Sequence, residues 1–326
     1  MERTSRGRVP DFFIVGHAKS GTTALYEMLR RHPQIFMSDV KEPQFFARNP
    51  RQPTGSRGKA FDQTGRRQET LEQYTSLFAA ARPDQRVGDA STFYLWTPAA
   101  PDRIAAAQPG ARIIAILREP ASFLRSLHLQ MVQNLTEPEK DLRRALALEE
   151  ARREGREIPG NSYWPSALIY SDRVRYVDQL RRYHAVFPSE QVLVLIYDDF
   201  RSDNEATVRR VLRFLDVDDT APVEVVSANP TVGVRSVRLG RMVRAVRAGS
   251  GPVAQAVRGT VKTLTTSRIR TGVLYPARRR LVYGEAQPVD EQLTLELRRR
   301  FRGEVEALSA YLDRDLVSLW GYDGLG

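Results

Sequence analysis

The chain has 326 residues, of which 41% are hydrophobic and 27% are charged, and none is cysteine. This composition is typical of a soluble globular protein with one large α/β domain or two smaller domains. The lack of cysteine excludes disulfides, thiolate metal sites and cysteine nucleophiles. The four histidines show no zinc-binding spacing, so we expect chemistry carried by carboxylates, lysine, arginine and hydroxyls, without a metal.

The net charge of +11 is unevenly distributed. Residues 231–285 hold twelve arginines and lysines and one acid, Glu285. Such a region either binds an anionic cofactor, acidic acceptor, membrane surface or nucleic acid, or forms a solvated basic face. The five arginines of "VRSVRLGRMVRAVR" (234–247) would spread around most of a helix, which favours the solvated face. The chain lacks an aromatic and basic stacking platform, so we expect no nucleic-acid partner.

No run of 18 apolar residues is present, and the N-terminal stretch "MERTSRGRVP" has no apolar segment. The sequence therefore predicts neither a transmembrane helix nor a secretory signal. We expect a cytoplasmic protein in which any contact with an anionic membrane or an acidic acceptor is made through residues 231–285.

The N-terminal part predicts the start of a βαβ unit. Residues 1–9 are polar and basic, which predicts a flexible tail. "DFFIVG" (11–16) predicts a strand ending in glycine, and "TTALYEMLRRHP" (22–33) predicts a helix that Pro33 ends. "QIFM" (34–37) predicts a second strand, and the composition of residues 48–68 an exposed loop. A helix, a strand and a helix are predicted next, at 69–81, 86–91 and 101–110.

The strongest strand signal is the β-branched run within "ARIIAILREP" (111–120), which is typical of a strand buried on both faces. Pro120 suits the first turn of the helix that follows. The later predicted elements are a charged helical stretch, a helix, a strand, a helix and a helical, basic C-terminal part, at 138–154, 173–188, 191–197, 204–217 and about 231–326. This alternation predicts a P-loop-like, three-layer α/β fold with a central, mostly parallel sheet flanked by helices, in a single domain over 10–326.

The stretch "GHAKSGTT" (16–23) has the glycine spacing of a phosphate-binding loop that enters a helix. In a P-loop kinase the lysine directly follows the second glycine, and an acid after a hydrophobic strand positions Mg²⁺. Here the lysine is Lys19, inside the loop, and the strand at 113–117 is followed by Arg118. Since a cation repels a metal ion, the pattern predicts two separate phosphates, one at the loop and one near Arg118.

These residues resemble those of sulfotransferases that use 3′-phosphoadenosine 5′-phosphosulfate (PAPS). "GHAKSGTTAL" is similar to their 5′-phosphosulfate loop, and "ILREPASFLRSLH" (116–128) to their 3′-phosphate motif. "KEPQFF" (41–46) resembles the KEPxFF stretch of the branch that includes heparan-sulfate-modifying and related bacterial enzymes. Further segments match in order, so the resemblance covers roughly residues 10–323: "VGDASTFYL" (87–95), "YVDQLRRYHAVFPSEQVLVLIYDDF" (176–200), "LRFLDV" (212–217) and "DLVSLWGYD" (315–323).

The resemblance implies a role for each site residue. Lys19 would lie against the bridging oxygen and the sulfuryl group, and Arg118 and Ser126 would bind the 3′-phosphate. Glu42 takes the place of the catalytic base, His17 is its competitor, and His128 is interpreted as structural. The loop residues that would hold the 5′-phosphate are Ser20, Gly21, Thr22 and Thr23.

One segment departs from the family pattern. Where the family has E-K-S/T-P, this chain has Asp89, Ala90, Ser91 and Thr92, so the lysine is missing. This weakens the case for a heparan-like polysaccharide and favours a smaller acceptor, such as a sugar, glycolipid or natural product with a hydroxyl or amine. Two other functions stay open on the sequence, a P-loop small-molecule kinase and a non-catalytic polyanion-binding protein.

Overall fold

The computed structural model describes residues 7–47, 70–160, 162, 164–225, 233–234, 283–284 and 290–325. Its main feature is a five-stranded, entirely parallel sheet. The strands are β1 (Phe12–Gly16), β2 (Ile35–Met37), β3 (Arg86–Ala90), β4 (Arg112–Leu117) and β5 (Val192–Ile196). A short antiparallel pair is formed by β6 (Gly233–Val234) and β7 (Tyr283–Gly284).

The strand order is β2-β3-β1-β4-β5, which places β1 at the centre between β3 and β4. The register pairs Phe12 with Gly88 on one side and with Arg112 on the other. The chain passes from β1 to β2 at one edge of the sheet, returns to β3 beside β1, and then crosses to the opposite side with β4 and β5. The order therefore reverses between β1 and β4, where open α/β sheets bind their ligands at the carboxyl ends of the strands.

Helices connect and flank the strands. Their bounds are α1 (Thr22–Arg30), α2 (Leu71–Ser76), α3 (Ala100–Ala107), α4 (Pro120–Gln133), α5 (Leu142–Ala147), α6 (Glu149–Arg153), α7 (Tyr170–Arg173), α8 (Tyr176–His184), α9 (Tyr197–Ser202), α10 (Asn204–Phe214), α11 (Glu291–Tyr311) and α12 (Leu316–Leu319). Side-chain hydrogen bonds to backbone amides fix the first residues of several of these helices. Thr70 and Gln73 form a capping box at α2, and the Asp203 side chain accepts a hydrogen bond from the Ala206 amide at α10.

The sheet is buried on both faces. From Ile113 to Leu117, every residue of β4 has no exposed surface. On one face, α1 and α10 pack against the sheet through a cluster that includes Leu25, Ile114 and Leu212. On the other face, the Phe13 ring lies 5.8 Å from the Phe46 ring, centroid to centroid. Burial on both faces explains why β1 and β4 appear in the sequence as continuous apolar runs.

Backbone contacts divide the chain into two compact units. The first contains the five-stranded sheet and comprises Met1–Phe123, Tyr170–Ala228 and Leu295–Gly326. The second comprises Leu124–Ile169 and Asn229–Thr294. The second unit contains a buried ion pair in which Arg152 donates to both carboxylate oxygens of Glu137, at 2.8 and 2.9 Å. The single domain expected from the sequence stays a prediction.

The predicted fold class is confirmed, and all five predicted strands of the main sheet form within one residue of their expected bounds. The helix expected at 173–188 forms as α8 from Tyr176 to His184, whereas Arg173, the first residue of the predicted range, is the last residue of α7. The predicted loop at 48–68, most of the basic region 231–285 and residues 1–6 of the predicted tail lie outside the described residues. Within the part of the chain that is described, no helix is both long and apolar enough to span a membrane.

Candidate active site

The loop between β1 and α1 has the backbone of an anion cradle. Gly21 has a φ of 84°, in the left-handed region, and directly precedes α1. A Cβ at this position would lie 2.8 Å from Cδ1 of Phe200, so glycine is required both by conformation and by space. The first turn of α1 has no side-chain cap and no acidic residue. Its amide donors and positive dipole end therefore suit an anion.

Arg118 lies at this loop. It is the first residue after β4, and its Nη1 donates a 2.8 Å hydrogen bond to the backbone carbonyl of Lys19. The guanidinium carbon is 4.8 Å from the centre of the Tyr197 ring. Burial, and then the nearby Arg118 charge, lowers the pKa of Lys19. Lys19 and Arg118 thus occupy a site at which a nucleoside-triphosphate-binding protein would have one lysine and one acid.

Several hydroxyls proposed as phosphate ligands are buried. Ser20 is fully buried, and its Oγ has no hydrogen-bond partner among the described residues. Thr22 is buried and Thr23 is half-buried. Ser126, on α4 in the second unit, is also buried, and its Oγ likewise has no partner in the described chain. Because buried hydroxyls are normally satisfied, orphaned Oγ atoms in predicted phosphate positions fit a bound phosphate.

His17 is held inside the loop. Its ring is fully buried, with Nε2 2.7 Å from Oε1 of Gln179. The Gln179 amide nitrogen donates to the carbonyls of Asp172 and Arg173, at 3.0 and 3.2 Å, so its oxygen faces His17 and Nε2 carries the proton. Burial, followed by the charge of Arg173, lowers the pKa of His17 to about 3. These contacts weigh against His17 as the base and favour a role in fixing the loop.

Glu42 carries an accessible carboxylate. Its side chain is 29% exposed, and its carboxylate accepts hydrogen bonds from Nζ of Lys41 at 3.1 Å and Oγ1 of Thr92 at 3.2 Å. The backbone amide of Glu42 donates to the carbonyl of Ala90 at 3.1 Å. The segment after β3 therefore positions Glu42 through both its backbone and its side chain. A fixed, partly open carboxylate fits the predicted base.

Asp89, in the segment that departs from the family pattern, lies in a buried hydrogen-bond network. Asp89 accepts hydrogen bonds from the hydroxyls of Tyr74, Ser91 and Tyr94, at 2.7, 2.7 and 2.8 Å. Desolvation by burial raises the pKa of Asp89 to about 6, although the three hydroxyls lower it. Ser91 Oγ also accepts a 3.0 Å hydrogen bond from the amide of Gln44. Asp89 thus supports the turn that carries Glu42.

Three residues around the loop were not identified from the sequence as site residues. Gln179 and Tyr197 lie within the matched stretch 176–200, but only their contacts with His17 and Arg118 reveal what they do. Arg173 precedes that stretch, and no sequence signal marks it. Its guanidinium carbon lies 4.2 Å from the centre of the Trp96 ring. His128, in the second unit, has its Nε2 2.9 Å from the carbonyl of Glu139, which fits the structural role expected for it.

Fold and site together define a P-loop-like α/β protein in which an arginine, rather than a metal-binding acid, lies next to the phosphate loop. In the described residues, no group of three or more histidines and acids is arranged to hold a metal ion. The family model described as "Sulfotransferase family" matches residues 10–221. Because this match covers more than half of the chain, the chain belongs to the sulfotransferase family.

Individual proteins show the same likeness. Mouse carbohydrate sulfotransferase 15 is 25% identical over 256 residues, covering 64% of this chain and 44% of the relative. Human heparan sulfate glucosamine 3-O-sulfotransferase 6 is 31% identical over 210 residues, covering 64% and 53%. The crystal structure of a sulfotransferase from Alicyclobacillus acidocaldarius superposes with a TM-score of 0.64 and 26% identity, over 96% of this chain and 98% of that chain. The chain spans about half the length of these curated relatives.

Proposed function

We propose that the protein transfers a sulfuryl group from PAPS to a hydroxyl or amine of a carbohydrate, lipid or natural-product acceptor. The observation that carries this proposal is Arg118. It follows β4 directly, in the position where a P-loop kinase needs an acid for its metal, and it bonds to the loop carbonyl of Lys19. The names of the relatives, which specify carbohydrate and heparan sulfate, support a carbohydrate acceptor.

The residues present fit PAPS. Ser20, Gly21, Thr22 and Thr23 would hold its 5′-phosphate at the start of α1, where the Ser20 hydroxyl lacks a partner in the described chain. Arg118 and Ser126 would hold its 3′-phosphate. When bound, PAPS supplies an activated sulfuryl group and a phosphate leaving group.

Two side chains of this protein would carry the chemistry. A Lys19 ammonium fixed at the loop stabilises negative charge that builds up on the leaving oxygen, which lowers the transition state more than the ground state. Glu42 would remove the proton of the acceptor hydroxyl or amine, a contribution of about 10²–10⁴ in rate. The hydrogen bonds from Lys41 and Thr92 hold its carboxylate in one orientation.

The proposal also covers where the protein acts and which surface it contacts. We place the reaction in the cytoplasm, with peripheral contact to an anionic membrane or an acidic acceptor through residues 231–285. The basic character of that region supports the contact. Vesicle co-sedimentation tests it, since the protein should pellet with anionic vesicles at moderate salt and remain in solution with neutral ones.

Thermal unfolding with two nucleotides tests the proposed cofactor. Adenosine 3′,5′-bisphosphate should raise the Tm of the protein, since a ligand at 100 times its Kd stabilises by about 2.7 kcal/mol, whereas ATP with Mg²⁺ should not. Arg118→Ala should abolish the shift. Arg201→Ala should preserve it, because Arg201 has a 70% exposed side chain on α9. Stabilisation by ATP with Mg²⁺ alone would favour the kinase instead, and stabilisation by any polyanion would favour the binding protein.

A further inference from the structure

Arg173 is a buried cation whose charge nothing in the described chain balances. It lies at the end of α7 with 2% of its surface exposed, and its side chain is among the most buried large ones in the described structure. Among the described residues, its Nε has no hydrogen-bond partner and no acid forms an ion pair with it. A buried charge costs several kcal/mol unless it is paired, so an unpaired arginine in the interior calls for a binding role.

The surroundings of Arg173 are rich in donors and poor in acceptors. Its guanidinium carbon lies 4.2 Å from the centre of the Trp96 ring and 5.7 Å from that of Phe93. The indole Nε1 of Trp96 is buried and has no partner among the described residues. Arg182 donates to the carbonyls of Leu95 and Trp96, both at 3.4 Å, and leaves its own buried Nε without a described partner. An oxyanion supplies the acceptors that such a set of donors lacks.

Arg173 is also connected through intermediate residues to the groups proposed to react. The segment after β3 contacts Glu42 through Thr92 and contacts Arg173 through Phe93 and Trp96. On the opposite side, the carbonyl of Arg173 accepts a hydrogen bond from Gln179, which bonds in turn to His17 of the loop. These residues all belong to the first unit. Short chains of contacts therefore connect Arg173 both to the predicted base, Glu42, and to His17 of the phosphate loop.

We propose that Arg173, together with the indole N–H of Trp96, binds an anionic group of the acceptor. The group is a carboxylate or an acidic ester oxygen, so the acceptor class becomes an anionic saccharide or a similar acidic molecule. This inference rests on the proposed sulfuryl transfer. It places the acceptor-binding charge on α7, whereas Ala90 occupies the position of the family lysine.

A matched pair of acceptor analogues tests the proposal on the full-length protein saturated with adenosine 3′,5′-bisphosphate. The probes are p-nitrophenyl β-D-glucuronide and p-nitrophenyl β-D-glucoside, which differ in having a carboxylate or a hydroxymethyl group on the sugar ring. By titration calorimetry the glucuronide should bind at least about tenfold more tightly, because one charge-assisted bidentate pair suffices for that ratio. Equal affinity for the two probes, or binding of neither, would overturn the proposal.

Variants assign the preference to one residue. Arg173→Met keeps an unbranched chain against Trp96 but removes the charge. In this variant the affinities for the glucuronide and the glucoside should be about equal. Arg173→Lys keeps a charge and should retain part of the preference, which provides a second reading if the methionine variant unfolds. Arg175→Met is the control, because Arg175 has a 58% exposed side chain paired with Asp178 at 2.6 Å. A preference that persists in Arg173→Met, or that disappears in Arg175→Met, contradicts the assignment.

Two further measurements separate the alternatives. If Arg173 instead held the sulfuryl group of the donor, Arg173→Met would weaken PAPS binding relative to adenosine 3′,5′-bisphosphate, and our inference would be wrong. We expect that ratio to be unchanged. If adenosine 3′,5′-bisphosphate fails to stabilise the wild-type protein, the proposed function itself fails. Normal stabilisation together with equal affinity for the two sugars removes only the inference about the acceptor.

Discussion

At the scale of single residues, the loop combines strain and charge. Lys19 has a φ of 64°, in the left-handed region, and its carbonyl accepts a hydrogen bond from Arg118. A non-glycine residue in this region costs about 1–3 kcal/mol and persists only where neighbours enforce it. The contact with Arg118 is such a constraint, and it ties the conformation of the loop to the end of β4.

Lys19→Ala should lower turnover with PAPS about 10²–10³-fold, because it removes a fixed positive charge beside the leaving oxygen. The measurement is sulfate transfer from radiolabelled PAPS at saturating acceptor. Arg30→Ala serves as the control, since Arg30 lies at the far end of α1 and pairs with Asp39 on the surface. Turnover of Lys19→Ala within a few-fold of wild type would refute the assigned role.

Glu42→Gln should lower turnover at least about 10²-fold while leaving the affinity for adenosine 3′,5′-bisphosphate unchanged, because only the proton acceptor is lost. Turnover and calorimetric binding are measured on the same preparation. Thr92→Val should have a smaller effect, since it removes one 3.2 Å hydrogen bond but keeps the carboxylate. Unchanged turnover in Glu42→Gln would mean that another group accepts the proton.

Asp89 gives a test based on pH. Burial raises the pKa of its carboxyl from 3.8 to about 6, so the folded protein binds a proton that the unfolded chain releases. The resulting stabilisation is full below the unfolded pKa and is lost as pH rises through about 6. Asp89→Asn lacks this term. The Tm difference between wild type and Asp89→Asn should therefore be larger near about pH 4 than near about pH 7.

The comparison with a surface acid checks that reasoning. The hydrogen bond from Arg82 lowers the pKa of Asp84, so its titration lies below that of an ordinary aspartate. The Tm difference between wild type and Asp84→Asn should consequently not be larger near about pH 4 than near about pH 7. A pH-independent difference for Asp89→Asn would show that the buried carboxyl does not titrate in this range.

At the scale of elements, the unit β1, loop and α1 is held by contacts from a later part of the chain. The left-handed Gly21 lies against the Phe200 ring, and α9, which carries that ring, directly follows β5. Tyr197, at the start of α9, also packs against the Arg118 guanidinium. The aromatic side chains of α9 thus shape the loop that the first βα unit provides.

Gly21→Ala should destabilise the protein by at least about 1–2 kcal/mol, the cost of a left-handed L-residue, and should weaken adenosine 3′,5′-bisphosphate binding. Chemical denaturation and calorimetry measure the two effects. Gly303→Ala is the matched control on α11. No atom lies within 4 Å of its added Cβ, and a helical alanine should stabilise by about 0.5–1 kcal/mol. Equal effects of the two substitutions would show that position 21 has no special constraint.

At the scale of the whole molecule, the C-terminal end supports the site from a distance in the sequence. The Tyr322 hydroxyl donates a 2.7 Å hydrogen bond to Oε1 of Glu119, the residue after Arg118. The same carboxylate accepts hydrogen bonds from the amides of Ala121 and Ser122, at 3.1 and 2.6 Å, at the start of α4. The family-like ending "WGYD" therefore has a physical reason, because its tyrosine fixes the turn that presents Arg118.

Tyr322→Phe should lower the free energy of unfolding by about 1–3 kcal/mol, since it leaves a buried carboxylate without one donor. It should also weaken adenosine 3′,5′-bisphosphate binding roughly 3- to 10-fold through the displaced Arg118. Denaturation and calorimetry are again the measurements. Leu319→Ala, which changes a 45% exposed side chain of α12, should alter neither quantity by a comparable amount. Normal nucleotide binding in Tyr322→Phe would separate the C-terminal end from the site.

Most of the fold was predictable because its signals are local. Buried parallel strands such as β4 appear as apolar runs, and Gly21 before α1 marks a phosphate loop in a few adjacent residues. The start of α8 was predicted three residues too early, because no proline or glycine marks the break after α7 at Val174 and Arg175. The environment of His17 was also missed, since its desolvation depends on residues more than 100 positions away, including Gln179.

By itself, the sequence determined the α/β class, the position of the phosphate loop, and the replacement of a metal-binding acid by Arg118. Each of these follows from contiguous residues whose spacing has a fixed physical meaning. Only the tertiary structure decided that Arg118 bonds to the loop at Lys19, that His17 is buried against Gln179, and that Arg173 is an interior cation beside Trp96. Burial and pairing depend on which distant segments pack together, and that packing determines the charge and the hydrogen-bond partners of each of these groups.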